Sequence, residues 1–373
     1  MWGVVAFAGC CFLHATLAFG QTGWTQQFPS QAPSGRSFHT MAYDAARNEV
    51  VLFGGIANNS GVLGDTWVWD GFNWIQKSPP NNPSPRFGHA MAYDAARQEV
   101  VLFGGLLASG TGNAETWLWN GTTWVQVFPA INPPSRDLAA MTYDSVRNET
   151  VLFGGRALES GSGFANMLED TWVWDGVNWT QKVSAMHPSG RIGHAVIFDA
   201  SHAEVLLFGG RLGFFPSDLD DTWVWDGVNW TERFPATSPP PTAGHALAYS
   251  AIRAQVIMFG GYDNGAFSRN DTWSWNGAEW AQLIPGTSPP ARTNHAMVYD
   301  SNLRQIVLFG GGSLPGADRG NFNDTWVLED PPSRRLPRTK DDCKGGGWTD
   351  LVRADDTAFK NQGACVSYVN TGK

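Results

Sequence analysis

Charge is scarce in this sequence. Only 16% of its 373 residues are Asp, Glu, Lys or Arg, and the formal net charge is −9. No Lys/Arg-rich run occurs between Gln21 and Leu328, which excludes the basic stripe that nucleic-acid binding requires. That stretch also contains no cysteine. The chain has no Gly-rich phosphate loop, no nucleophile elbow and no zinc-binding helix motif. Residues 1–20 carry no Lys, Arg, Asp or Glu. They form an apolar stretch ending in the small-x-small pattern Ala18-Phe19-Gly20, which predicts a signal peptide cleaved before Gln21. A retained membrane anchor fits less well, because the run barely reaches ~18 residues and includes His14 and Thr16. Lipid attachment at Cys10 would leave only nine residues ahead of the cysteine.

What the chain has instead is Gly, Pro and Trp, with 43, 22 and 19 residues. That much Gly and Pro suits many short strands and tight turns, and the tryptophans fall in a repeat. Six Gly pairs recur: Gly54-Gly55, Gly104-Gly105, Gly154-Gly155, Gly209-Gly210, Gly260-Gly261 and Gly310-Gly311. Each follows an apolar run such as Val50-Val51-Leu52-Phe53, and upstream lies a segment such as His89-Ala90-Met91-Ala92-Tyr93-Asp94. Each is followed by an acidic residue, Thr and Trp, from Asp65-Thr66-Trp67 to Asp324-Thr325-Trp326. In five units another Trp comes nine residues after the acidic one. Every unit thus predicts four short strands; in the second they span 89–94, 99–103, 116–120 and 124–127. Turn signals such as Asn120-Gly121 separate them. A four-stranded antiparallel sheet repeated about every 50 residues is a propeller blade.

The pattern Arg-x-x-His-Ala-Met-x-Tyr-Asp, then apolar-Phe-Gly-Gly, then Asp-Thr-Trp-x-Trp, then Trp, resembles the Kelch repeat over about residues 21–328. The resemblance implies an all-β, six-bladed β-propeller of four-stranded antiparallel blades. The sixth unit reaches Trp326-Val327-Leu328 and then runs into Pro331-Pro332 without a fourth strand, while Trp24-Thr25-Gln26-Gln27 matches Trp74-Ile75-Gln76-Lys77. The N-terminal strand is therefore expected to complete the last blade and protect its edge. Seventeen of the 19 Trp belong to the repeat. Pairs such as Trp67 and Trp69 share one strand face, which assigns them to packing between blades rather than to ligand stacking.

From the fourth-strand Trp to the next repeat Arg (Thr242 in the fifth unit) the step is always 12, and from there to the Gly pair always 18. From the second Gly to the acidic residue it is 10, 10, 15, 11, 10 and 13. These variable loops should share one face of the disc with the Arg-x-x-His segments, and repeat proteins often gather binding insertions on one face. That face supplies the candidate ligand residues: Arg156 and Phe164, Arg211, Phe214 and Phe215, Tyr262 and Arg269, Arg319 and Phe322. Aromatics beside arginines are common in binding surfaces; ordinary loop composition is the competing reading. The recurrent His39, His89, His194, His245 and His295 are expected to bond within or between blades. Zinc needs ligands converging to ~2.0–2.1 Å, and a ring about a channel holds its members apart. Symmetry breaks at Asp137, Ala139 and Thr242. No metal or other cofactor is predicted.

No catalytic residue is assigned. A galactose-oxidase-like copper site lacks its cysteine, and Asp65-Thr66-Trp67-Val68-Trp69 is not a sialidase box. The exported six-bladed Kelch proteins that include sialate mutarotases are the closer comparison. Such chemistry needs an acid and a base in one pocket, with Glu159, Glu169, Asp218 and Asp263 available. The expected function is an exported binding module that presents its loop face to a protein or glycan. A mutarotase- or hydrolase-like enzyme with a central pocket is the alternative.

Residues 329–342 read as a Pro- and charge-rich linker. The tail 343–373 resembles cysteine-paired C-terminal segments of exported bacterial proteins. An even cysteine count outside the cytoplasm pairs Cys343 with Cys365, a closure that contributes roughly 3 kcal/mol. The protein is expected to be monomeric, without a membrane span after signal removal, and either secreted or in the periplasm or cell envelope.

Overall fold

The computed structural model describes residues 23–58, 60–157, 166–213, 217–264, 267–313, 320–331, 343–344 and 365–366. The expected signal peptide, residues 332–342 of the expected linker, Glu159 and the candidates Phe164, Phe214, Phe215 and Arg319 lie outside them.

The four β-rich runs of each unit form one antiparallel sheet. In the second blade they are Ala90–Asp94, Glu99–Phe103, Thr116–Trp119 and Trp124–Val127. Six such four-stranded sheets occur among the described residues. The sixth combines Ala296–Asp300, Gln305–Phe309 and Thr325–Glu329 with Thr25–Gln27 from the far end of the chain. There Thr25 pairs with Val327, Gln26 with Trp326 and Gln27 with Thr325. The strand before the closure runs to Glu329, one residue past the expected end. The first strands pack neighbour to neighbour, with Thr40–Asp44 against Ala296–Asp300, so they surround a central channel.

Side-chain size alternates at each seam. Met91 and Tyr93 lie beside Ala42 of the preceding blade, while Ala90 and Ala92 lie beside Met141 of the following one. Large against small fills the seam at interior density. Each fourth-strand Trp donates its indole N–H to the repeat Thr of the preceding blade. Trp124 reaches Thr66 at 3.0 Å, Trp179 Thr116 at 2.9 Å, Trp230 Thr171 at 2.8 Å and Trp280 Thr222 at 3.1 Å. Across the closure Trp24 reaches Thr272 at 3.2 Å and Trp74 reaches Thr325 at 2.9 Å. The Trp of each acidic-Thr-Trp run donates to its own acidic residue, as Trp67 does to Asp65 at 2.7 Å. These bonds explain why acid, Thr and both Trp recur together. The Gly pair has a different cause. Gly55 sits at φ +99°, and a Cβ there would lie 2.8 Å from the His39 Cβ and 2.9 Å from the Ser37 carbonyl, so only glycine fits.

Candidate functional site

The repeat Arg and the acidic residue meet on the loop face. Arg36 donates to Asp65 at 2.6 and 2.9 Å, to the Gly54 carbonyl at 3.0 Å and through Nε to the Ser34 carbonyl at 3.0 Å. Arg86 with Glu115, Arg136 with Asp170, Arg191 with Asp221 and Arg292 with Asp324 repeat the arrangement. Burial by itself would raise the Asp65 and Asp170 carboxyls. The hydrogen bonds and charge of Arg36 and Arg136 outweigh it and hold both below the usual range. The fifth blade has Thr242, whose hydroxyl donates to the Tyr262 carbonyl at 3.1 Å.

The five histidines wedge between blades, but the expected bonding is met at His194 alone: both ring nitrogens of His39, His89, His245 and His295 are buried without a hydrogen-bond partner among the described residues. Each stands edge-on to the Phe before the preceding Gly pair, with centroids 5.5–5.6 Å apart. His194 Nε2 lies 3.2 Å from the Phe153 carbonyl. Burial pulls His39, His194 and His245 down to about 3 and also lowers His89 and His295, so all five are neutral imidazoles at neutral pH. Among the described residues no three His, Cys, Asp or Glu side chains are placed to hold a metal.

Cross-strand bridges locate the variable loops. The residue after each Gly pair sits opposite the one after the repeat Arg: Ser37 with Ile56, Phe87 with Leu106, Asp137 with Arg156, Ile192 with Arg211, Ala243 with Tyr262 and Thr293 with Gly312. This circle is unequal. Blades six, one and two place Gly312, Ile56 and Leu106 on it, whereas blades three to five place Arg156, Arg211 and Tyr262. Arg156 binds the fully buried Asp137 at 2.9 and 2.5 Å. Arg211 binds Asp218 at 2.9 and 2.8 Å and lies over the Tyr262 ring, 4.8 Å from its centroid. The Asp218 N–H donates to Asn264 Oδ1 at 3.4 Å. Burial pushes the Tyr262 phenol up.

The structure thus brings Arg211 and Tyr262 into contact and sets Arg156 one blade away. Arg269 binds Asp263 at 2.9 Å, on the strand that carries Tyr262. Phe322 stands apart, its ring 4.2 Å from the Arg292 guanidinium carbon. The carboxylates facing Arg156 and Arg211 neutralise this sector. Among the described residues, neither Arg156 Nη1 nor the Tyr262 hydroxyl has a protein partner, and Asp218 Oδ2 is buried without one. Asn264 carried no sequence signal. Asp137 did, as the acidic residue in a place otherwise held by Ser, Phe, Ile, Ala or Thr.

At the loop face the channel narrows. Phe38, Gly88, Leu138, Gly193, Gly244 and Asn294 all have positive φ. Five of their six backbone N–H groups donate around the axis to the preceding carbonyl: Phe38 to Asn294, Gly88 to Phe38, Leu138 to Gly88, Gly244 to Gly193 and Asn294 to Gly244. A recess of about 120 Å³ lies at this end. A wider one of about 390 Å³, lined by residues such as Met41, Met91, Tyr93 and Tyr143, opens at the opposite face. Neither lining includes Asp, Glu, Lys or Arg. In the tail, Cys343 and Cys365 are buried and joined by a disulfide. Among the described residues no helix is long and apolar enough to cross a membrane.

The KLHDC2/KLHL20/DRC7 Kelch-repeats domain family matches residues 145–334. A solved structure described as "Structure of YjhT" superposes with a TM-score of 0.60, covering 81% of this chain and 97% of its own at 15% identity; that likeness concerns the fold alone. No curated protein matches the chain.

Proposed function

The chain belongs to the Kelch-repeat family, and on that premise we propose that it is an exported binding module whose loop face takes a protein or glycan ligand at blades three to five. The observation that carries this is the Arg211–Tyr262–Asp218 cluster with Arg156 beside it. It fills positions that the other three blades give to Gly, Ile and Leu, and it leaves hydrogen-bonding groups unpaired. A ligand with hydroxyl or amide groups would satisfy them. Since each arginine is matched by a carboxylate, the sector suits a polar ligand of low charge better than a polyanion. The charge-free residues 1–20 and the tail disulfide support export.

Acid–base chemistry in the channel has less support. It would need an acid and a base facing one recess; the five histidines that line the narrower recess are held neutral by burial, and neither recess is lined by a carboxylate to pair with them. Glycan and peptide arrays probed with the native chain and with Tyr262→Ala and Arg156→Ala test the reading. Binding that both substitutions weaken supports it; binding indifferent to both overturns it.

A further inference from the structure

The repeat builds a receptor for a guanidinium group and fills it from within five times. Its parts are constant: the acidic carboxylate, the carbonyl of the first Gly and the carbonyl two residues before the Arg. For Arg191 these are Asp221 at 2.6 and 2.8 Å, Gly209 at 3.0 Å and Ser189 at 2.9 Å. For Arg292 they are Asp324 at 2.7 Å twice, Gly310 at 2.9 Å and Pro290 at 3.1 Å.

The fifth blade keeps this frame. Gly260 has φ +66° against +64° at Gly54. Its N–H donates to the Asp271 carbonyl at 3.1 Å, as Gly104 does to Glu115 at 3.2 Å. Trp273 holds Asp271 Oδ2 at 2.8 Å, as its counterparts hold theirs. Residue 242, however, is Thr. Among the described residues no cation takes over at Asp271, and the nearby Arg269 is bound to Asp263.

The carboxylate side of this frame faces outward. In the other blades the acidic side chain keeps 14–33% of its surface exposed while the arginine keeps 0–1%. In the second and third blades, surface recesses of about 440 and 180 Å³ border Glu115 and Asp170, walled by Phe128 and Val183 respectively. The corresponding wall in the fifth blade is Ile284, which is 77% exposed.

We propose that the fifth blade takes its guanidinium from outside the chain: the arginine side chain of a protein partner, paired to Asp271 with its aliphatic stem along Ile284. A planar guanidinium meets a carboxylate in two parallel hydrogen bonds, which an ammonium cannot do. This site goes beyond the Arg211–Tyr262 reading and does not depend on it.

The test is calorimetric titration of the full chain with Nα-acetyl-arginine methylamide, with the uncharged citrulline analogue and the lysine analogue run alongside. The arginine probe should bind roughly tenfold or more tightly than the citrulline analogue, the difference carried by charge-assisted hydrogen bonds. Asp271→Asn should lose that preference while keeping an acceptor for Trp273. Thr242→Arg, supplying the cation internally, should lose it too and raise the melting temperature. Should Thr242→Arg fail to fold, Asp271→Asn alone decides. Equal affinity for the arginine and citrulline probes, a lysine probe that binds as tightly as arginine, or an unchanged preference in Asp271→Asn overturns the proposal. These outcomes are independent of array binding by the Tyr262 and Arg156 variants.

Discussion

Asp330 serves the fifth blade from the end of the sixth: it accepts the Ser250 hydroxyl at 2.6 Å across 80 residues of chain. In blades one to four the first strand ends in an Asp that binds the basic residue of its own turn, as Asp44 binds Arg47 at 2.6 Å and Asp94 binds Arg97 at 2.7 Å. The fifth blade has Ser250 there, and Asp330 supplies the carboxylate, also bonding Arg253 at 3.0 Å and the Tyr299 hydroxyl at 2.7 Å. Asp330→Ala should destabilise by about 3 kcal/mol, the usual cost of orphaning a buried pair. Adding Ser250→Asp should recover much of the loss by restoring the repeat. Urea unfolding of the single and double variants checks both expectations.

The tryptophan ring sets a second expectation. Trp124→Ala removes a buried indole from the seam between the first two blades and should cost ~3–5 kcal/mol. Trp172→Ala should cost a similar amount. Trp124→Phe keeps most of the volume and loses the bond to Thr66, so it should cost only about 1 kcal/mol from that bond. Thermal melts that rank the three otherwise would refute the packing role.

Acid should unfold the ring through its histidines. His39, His194 and His245 titrate near 3 when folded, against about 6.5 in an unfolded chain. Between these values the unfolded state binds more protons. Their contribution is therefore full above about pH 6.5 and is lost as the pH falls towards 3. The urea midpoint should drop steadily from pH 7 to pH 5, and His194→Asn should flatten that slope by up to one proton. An unchanged slope would mean that His194 is not held neutral.

The propeller was legible because its cause is local and repeated: Gly pairs, strand-alternating Trp and fixed steps state the same unit six times, and the odd strand at Thr25–Gln27 shows its partner by similarity. Where a blade departs from the repeat, the substitute comes from elsewhere in the chain, and spacing cannot point to it. Asp330 looked like linker because nothing near it in sequence explains it. The candidate face was legible as a face. Which members meet was not, because Arg211 turns to Tyr262 across a seam and Phe322 turns inward to Arg292.

The pairing of Thr25 with Val327 also fixes an order of events. Thr25–Gln27 leaves the ribosome long before its partner strand Thr325–Glu329 and can pair only once that strand has been made. At about 5–20 residues per second, roughly 15–60 s of synthesis separates the two partners. Until then the last sheet lacks its outer strand and the first blade has no sixth blade to pack against. Ring completion is thus a long-range, slow step, and the period before it is when a chaperone or holding factor would be of most use.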